Sequence, residues 1–451
     1  MGKISLGNLK KTWAFLRRNG WKNTFYTAAE RILTPTEAYE YTPPDKEELL
    51  RQRKSTMDQE ILFSILVPLY RTPGPYLREM IESVLAQSYT RLELVLADAT
   101  EDDRLCGIIQ ELSSRDESQT GKKRIRYQHL TKNGGISENS NQALALCNGD
   151  YIGLLDHDDL LTPDALYEVL QAALQKEKEN GKCPRLLYSD EDKCSGDADR
   201  FYEPHRKTDF NPDLLLSNNY ICHFMVMEGS LLKSLGFRKE YDGAQDYDLV
   251  LRAMNALWEE KRQIVHIPKV LYHWRCHPDS TAQNPASKMY AYEAGRRALQ
   301  NFADQKGWQA KAEHKKNLGF YRLCFEPDLL QVRADVAAVG TVPLDEKGNV
   351  MYADLPKGFD GYMHRGSLVQ DVPALDIRFL ALKKEYAPVF QQITGAPYRN
   401  IPGSSFLDRT VLFGKSEEEI RTMSLELGKS LTDKGLLLCW DPELKIKIQI
   451  Q

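Results

Sequence analysis

The chain has 451 residues, 42% of them hydrophobic and 27% charged, with a net charge of −4. These values fit a soluble globular protein of two or three domains, too long for one ordinary core, and carry no global signal for a nucleic-acid partner. The eight cysteines are scattered without a CxxC pair, which argues against a zinc ribbon or redox motif and reads as reduced thiols.

No apolar run approaches the ~20 residues of a membrane span, and no signal peptide is expected. The opening MGKISL departs from the myristoylation pattern at Leu6. Residues 1–33 are basic and aromatic: Lys10, Lys11, Arg17, Arg18, Lys22 and Arg31 stand among Trp13, Phe15, Trp21, Phe25 and Tyr26, with Glu30 the one acid. That composition suits an amphipathic helical pair on an anionic membrane face, or a helical hairpin packed on the main domain. Residues 34–60 are Pro-rich and then charged, a linker followed by a short helix. An N-terminal segment of residues 1–60 is therefore expected.

The texture then changes. ILFSILVPLY (61–70) reads as a buried strand stopping near Pro68. GPYLREMIESVLAQSY follows with Leu77, Met80, Ile81, Val84 and Leu85 at helical spacing. LELVLAD (92–98), RIRYQHL (124–130) and DYIGLLD (150–156) are further strands. The helices LCGIIQEL, SENSNQALALC and PDALYEVLQAAL lie between and after them. Four strand–helix alternations predict an α/β, mostly parallel, doubly wound sheet. Ligands bind at the carboxyl ends of strands in such sheets, which is where Tyr70, Asp98, Asn133, Asp156 and Asp158 fall.

Asp156, Asp158 and Asp159 crowd three carboxylates into four residues. A solvated turn would tolerate that. After an apolar strand, the arrangement instead suits Mg²⁺ or Mn²⁺ shared with an anionic ligand, since these ions take few protein carboxylates and complete their shell with phosphate oxygens. Asp156 is assigned to ribose or metal and Asp158 to metal and diphosphate, while Asp159 is expected to cap the helix beginning near Pro163. His157 is expected to face away. Tyr70, just past Pro68, can stack on a base, and Asp98 can accept from a uracil imide. Gly134 and Gly135 let the backbone approach a ligand closely, and Lys132, beside Asn133, can reach a diphosphate. Together these residues describe a nucleotide-diphosphate pocket.

The ordered motifs SILVPLY, SVLAQSY, LELVLAD, NGGISENSNQAL and GDYIGLLDHDDLL resemble the family 2 glycosyltransferases, inverting enzymes of the GT-A fold, over roughly residues 61–300. The nearer likeness is to bacterial enzymes of capsule, O-antigen and other surface polysaccharides. The usual DDGS stands here as ADAT (97–100), and Arg71 occupies a position where the family often has Asn. The resemblance implies a nucleotide-sugar donor, with Mn²⁺ or Mg²⁺ held at Asp156 and Asp158; the donor is expected to be UDP-linked. In EYDGAQDYDLVLRAM (240–254), Asp246 matches the family's catalytic base, with Asp242 and Asp248 as competitors. In VLYHWRCHPDSTA (270–282), His273 resembles an added third metal ligand and Arg275 a diphosphate contact from a closing loop; the alternative is a packed His–Trp corner. YSDEDK (188–193) is expected to line the acceptor cleft, and residues 201–224 read as cleft loop without an assigned role.

Residues 301–451 read as a smaller C-terminal α/β domain, resembling the acceptor half of a second family 2 module without a D-x-D strand end. The expected function is inverting, metal-dependent sugar transfer to a polysaccharide or lipid-linked oligosaccharide, in the cytoplasm and peripherally at the inner membrane face. A nucleotidyltransferase is the alternative enzyme, but PLYRTPGPY is a poor phosphate loop; a non-catalytic scaffold is disfavoured by Asp98, Asp156, Asp158 and Asp246.

Overall fold

The computed structural model describes residues 39–276, 289–340, 366–398, 412 and 414–443. Residues 1–33 and their expected membrane contact lie outside the described residues, as do 277–282. The chain divides into two compact units, Met1–Tyr41 and Thr42–Gln451, and every element below belongs to the second. Helix α1 (Lys46–Ser55) opens it, capped by Asp45, whose side chain accepts from the Glu48 amide. The expected break at residue 60 thus falls after a helix that is already part of the larger unit.

Strands β1 (Phe63–Leu69), β2 (Leu92–Asp98), β3 (Ile125–His129) and β4 (Tyr151–Leu154) pair in the order β3-β2-β1-β4, all parallel. Helices α2 (Gly74–Leu85), α3 (Cys106–Thr120) and α4 (Ile136–Leu146) make the crossovers. β1 and β2 are buried almost throughout, as their unbroken apolar sequences require. α2 buries Leu77, Met80, Ile81 and Val84, one stripe at i, i+3, i+4 and i+7. Each such side chain contributes roughly 1.5–3 kcal/mol when fully buried.

Beyond β4 the sheet becomes mixed. The chain continues through β5 (Leu160–Leu161), α5 (Ala165–Asn180), β6 (Leu186–Ser195), β7 (Phe201–His205) and α6 (Pro212–Leu215). It then forms β8 (Met225–Glu228), α7 (Gly229–Leu235), α8 (Gln245–Ala256) and β9 (Ile264–Cys276). β8 is antiparallel to β4 and β6, β9 is parallel to β6, and β5 is antiparallel to β9. The full order is β3-β2-β1-β4-β8-β6-β9-β5, with β7 on β6. The chain moves outward from β1 to β3, then returns to the other side of β1 as β4. That reversal opens a crevice at the strands' carboxyl ends, the place where such sheets bind ligands.

Helix α9 (Met289–Gln305) packs on α8 and on the hairpin β10 (Ala310–His314)–β11 (Tyr321–Phe325), so it runs through the expected boundary at 300. After α10 (Leu329–Val332), a second sheet forms from β12 (Val336–Gly340), β13 (Gln370–Asp371), β14 (Leu380–Leu382) and β15 (Leu437–Trp440) in the order β13-β15-β12-β14. With α11 (Ala387–Thr394) and α12 (Glu417–Thr432) it encloses its own core of Leu375, Ile377, Phe390 and Leu431. These C-terminal α/β elements belong to the same compact unit as the larger sheet. Buried Arg333 ties them to α6, its guanidinium 2.6 Å from Asp213 and 2.8 Å from Asp335. Among the described residues, no helix is long and apolar enough to cross a membrane.

Candidate active site

Two glycines deliver the acidic turn to the crevice. A Cβ on Gly149 would lie 2.5 Å from the Ser64 amide nitrogen, so only glycine lets the chain enter β4 flush against β1. A Cβ on Gly153 would meet the Phe224 ring at 2.8 Å. Beyond Leu155 the chain turns, and its carboxylates separate by environment: the Asp156 side chain is 60% exposed, Asp158 half-buried and Asp159 buried.

Asp159 accepts from Tyr272 Oη at 2.5 Å and from the Arg275 amide at 2.7 Å. Burial, then Asp156 and Asp158, push its carboxyl well above the usual range. It caps no helix, contrary to expectation, because β5 intervenes and the N-cap of α5 is Asp164. Arg275 also differs from expectation. It lies in β9, buried, rather than on a loop; its Nε donates to the Asp158 carbonyl at 2.6 Å, and its guanidinium pairs with Glu79 at 2.7 Å over the Tyr76 ring. It braces the acidic turn from behind.

The antiparallel register of β4 and β8 supplies a residue not singled out from sequence. Leu154 pairs with Met225. Two places further along, Asp156 faces His223, with Nε2 3.7 Å from Oδ2. One ligand atom each from Asp156, Asp159 and His223 lie within 4.8 Å of one another. Two carboxylates and an imidazole are a donor set that fits Mn²⁺. The His223 ring stacks on Tyr272 at 4.6 Å, and its Nδ1 is 3.0 Å from Glu191 Oε2. His205 and Lys207 close on the same buried glutamate at 3.3 and 3.5 Å. Burial alone would raise the Glu191 carboxyl, but Lys207, His205 and His223 hold it well below its usual range. Burial likewise opposes the His223 imidazolium, yet Cys222 and Glu191 raise its pKa well above the ordinary value, so a cation taken at Nε2 must displace a proton.

His273 is not brought to this group. Side chains alternate along a strand; Tyr272 and Trp274 face His223, so His273 points to the other side of β9. There it is buried, Nδ1 2.5 Å from Asp192 Oδ1 and its ring 4.3 Å from Phe201. The Asp158 carboxylate also lies outside the group of possible ligand atoms found among the described residues.

Asp246 is the second residue of α8. Its Oδ2 accepts from Asn219 Nδ2 at 2.9 Å and from Cys222 Sγ at 4.0 Å, and that sulfur is 3.4 Å from His223 Nε2. A short run of contacts therefore joins Asp246 to Asp156. Burial pushes the Asp246 carboxyl above its ordinary value. Its two competitors are occupied elsewhere. Asp242 accepts from the Ser137 amide at 3.2 Å, at the positive end of α4. Asp248 is buried between Arg238 and Arg252, 2.8 Å from the latter.

The remaining expected binding residues rim the same edge. Pro68 pairs with Ala97 across β1 and β2. Tyr70 is exposed, with its hydroxyl donating to Glu101 at 3.0 Å. Asp98 is buried and accepts from the Thr100 amide at 2.9 Å and from Tyr127 Oη at 3.1 Å. Lys132 is exposed, and Asn133 locks the glycine loop by accepting from the Gly135 amide at 3.0 Å and from Asn139 Nδ2 at 2.9 Å. The acidic YSDEDK run instead turns inward along β6, with Asp190 on His266, Glu191 on His223 and Asp192 on His273.

The acidic turn lies at the sheet's switch point, and α8, much further along the chain, presents a second carboxylate, Asp246, close to it. Residues 64–236 match the family model described as glycosyl transferase family 2. The chain is 43% identical over 241 residues to the uncharacterised protein y4gI of Sinorhizobium fredii, covering 53% of this chain and 25% of that protein. It is 34% identical over 252 residues to the O-antigen biosynthesis protein RfbC of Myxococcus xanthus, covering 55% of this chain and 18% of RfbC. The chain thus spans a quarter or less of the length of these two relatives. Among solved structures, TarS of S. aureus in complex with UDP-GlcNAc superposes with a TM-score of 0.39 at 19% identity, over 53% of this chain and 65% of that one.

Proposed function

We propose that the domain transfers a sugar, with inversion, from a nucleotide-diphosphate sugar to a hydroxyl of a polysaccharide or lipid-linked oligosaccharide in surface-glycan synthesis. The observation that carries this reading is the run of contacts Asp246–Cys222–His223–Asp156, which sets a carboxylate with a raised pKa beside the acidic turn. A single in-line displacement needs that pairing and no covalent enzyme intermediate. Asp246 takes the proton from the acceptor hydroxyl as its oxygen attacks the anomeric carbon. The bond from that carbon to the diphosphate oxygen breaks on the opposite face, and the nucleoside diphosphate leaves.

Asp156, with His223 and Asp159, would hold a divalent cation, which supplies charge neutralisation for the departing diphosphate. Tyr70 and Asp98 line the base-binding side and Lys132 and Asn133 the phosphate side. A uridine donor is preferred on the family resemblance, with exposed Tyr70 available to stack on the base. The RfbC relative's role in O-antigen biosynthesis supports a glycan acceptor, and residues 1–33 would bring the domain to an anionic membrane face where lipid-linked acceptors reside. A screen of nucleotide sugars with Mn²⁺ or Mg²⁺, read as nucleotide release, tests the reading. Turnover of one donor is expected; neither turnover nor calorimetric binding of any donor would overturn it.

A further inference from the structure

The turn leading into α8 is clasped from both sides. On one side, a Cβ at Gly135 would lie 2.6 Å from Asp242 Oδ2, so the start of α4 rests directly on the turn. On the other side, Gly243, at φ +93°, lies under the Tyr290 ring, and a Cβ there would be 2.7 Å from Tyr290 Cε2 and 2.9 Å from Ala291 Cβ. Both the backbone angle and the ring require glycine at this place. α9 is fastened here by Arg297, whose guanidinium donates to the Glu240 carbonyl at 2.6 Å.

The outer face of the Tyr290 ring remains in solvent: the residue is 60% exposed. Its neighbours on this rim, Met289 at 50% and Ile136 at 37%, are exposed too. Three apolar side chains thus flank one short turn, and that turn runs three residues later into Asp246. An acceptor hydroxyl must approach that carboxylate, and the sugar bearing it continues outward over the rim.

We propose that Tyr290 is the stacking platform of an acceptor subsite, taking a neutral pyranose through its C–H face, with Ile136 and Met289 as its apolar borders. The proposal rests on the transferase reading above. It assigns Tyr290 to acceptor selection and leaves donor chemistry to the crevice. An aromatic ring fits this role because it offers a flat apolar face at small entropic cost and keeps a polar edge in water.

The test uses the full chain saturated with nucleoside diphosphate, with 4-nitrophenyl β-glucoside, β-galactoside and N-acetyl-β-glucosaminide as probes, and reads binding by saturation-transfer NMR. Tyr290→Ala should weaken the best-bound pyranoside roughly tenfold, and Tyr290→Trp should restore it. Nucleotide release in the absence of acceptor should be the same in both variants and the parent, which separates this proposal from failure of the transferase reading. Equal pyranoside binding by the parent and Tyr290→Ala would overturn the proposal. So would binding of none of the three probes by the parent, or loss of acceptor-independent release in Tyr290→Ala.

Discussion

His223 Nδ1 lies 3.0 Å from Glu191 Oε2, and this contact leaves Nε2 to meet Asp156. The glutamate does not act alone, for Lys207, with its side chain fully buried, donates to the carbonyls of Ile221 and His223 as well as approaching Glu191. A cation and a carboxylate held inside the sheet thus set the position of the ring at the site's floor.

Removing the carboxylate should expose that dependence. Glu191→Ala leaves Lys207 buried without its counter-charge, a change that typically costs about 3–5 kcal/mol. Denaturant unfolding at neutral pH should show that loss. The parent carries a matching acid sensitivity. Because the Glu191 carboxyl is depressed in the folded state, its stabilisation is present above the unfolded glutamate pKa of about 4.3 and is lost as pH falls through the folded value. Below about pH 4 the gap in stability between parent and Glu191→Ala should therefore narrow.

The two histidines near the acidic turn should part company in metal binding. His223→Ala should weaken Mn²⁺ affinity, measured by calorimetry or by water-proton relaxation, by about 10–100-fold, the range for disturbing a metal's coordinating or supporting groups. His273→Ala should leave Mn²⁺ affinity unchanged and lower the melting temperature, since it removes a buried contact of Asp192. Equal metal affinity in His223→Ala and the parent would remove His223 from the ligand set.

Gly149 offers a test of how the turn is delivered. Its Cβ position is blocked at 2.5 Å by the Ser64 amide nitrogen and at 2.6 Å by the Tyr151 carbonyl oxygen, both backbone atoms. Gly149→Ala should cost about 1–3 kcal/mol, the usual range for overpacking. Gly107→Ala, where a Cβ meets nothing within 4 Å, should be close to neutral in the same unfolding assay.

Where the sequence is unbroken and apolar, the fold was readable. β2 occupies Leu92–Asp98, the run expected, and β1 lies within the expected 61–70. A parallel strand covered on both faces leaves such a trace, and its end marks the ligand edge. The acidic turn was legible as the end of such a run, whereas the helix bearing Asp246 was expected from the resemblance of its acidic motif to the family's. The histidine was not. His273 and His223 both sit next to aromatic residues, and the choice between them depends on which face of β9 points inward and on the pairing of β8 with β4. Those are long-range facts, set by the Leu154–Met225 register, and nothing local in ICHFMV announces them. Glu191 was hidden likewise: in sequence it is one acid of an apparent surface run, and only the closure of β6 between β8 and β9 makes it a buried counter-ion.

The proton acceptor is the heart of the proposed chemistry, and its environment predicts a pH signature. Burial raises the Asp246 pKa, so as pH falls the base is protonated sooner than an ordinary aspartate, and the acid limb of kcat/KM should lie above the usual aspartate range. The most direct measurement is the transfer rate of Asp246→Asn beside its donor affinity. Asparagine keeps the shape and the contact with Asn219 but cannot take the proton. Transfer should fall by about 10²–10⁴-fold while the dissociation constant for the nucleotide sugar stays within about twofold. Transfer at the parental rate, or a loss of donor binding that accounts for the whole defect, would contradict Asp246 as the base.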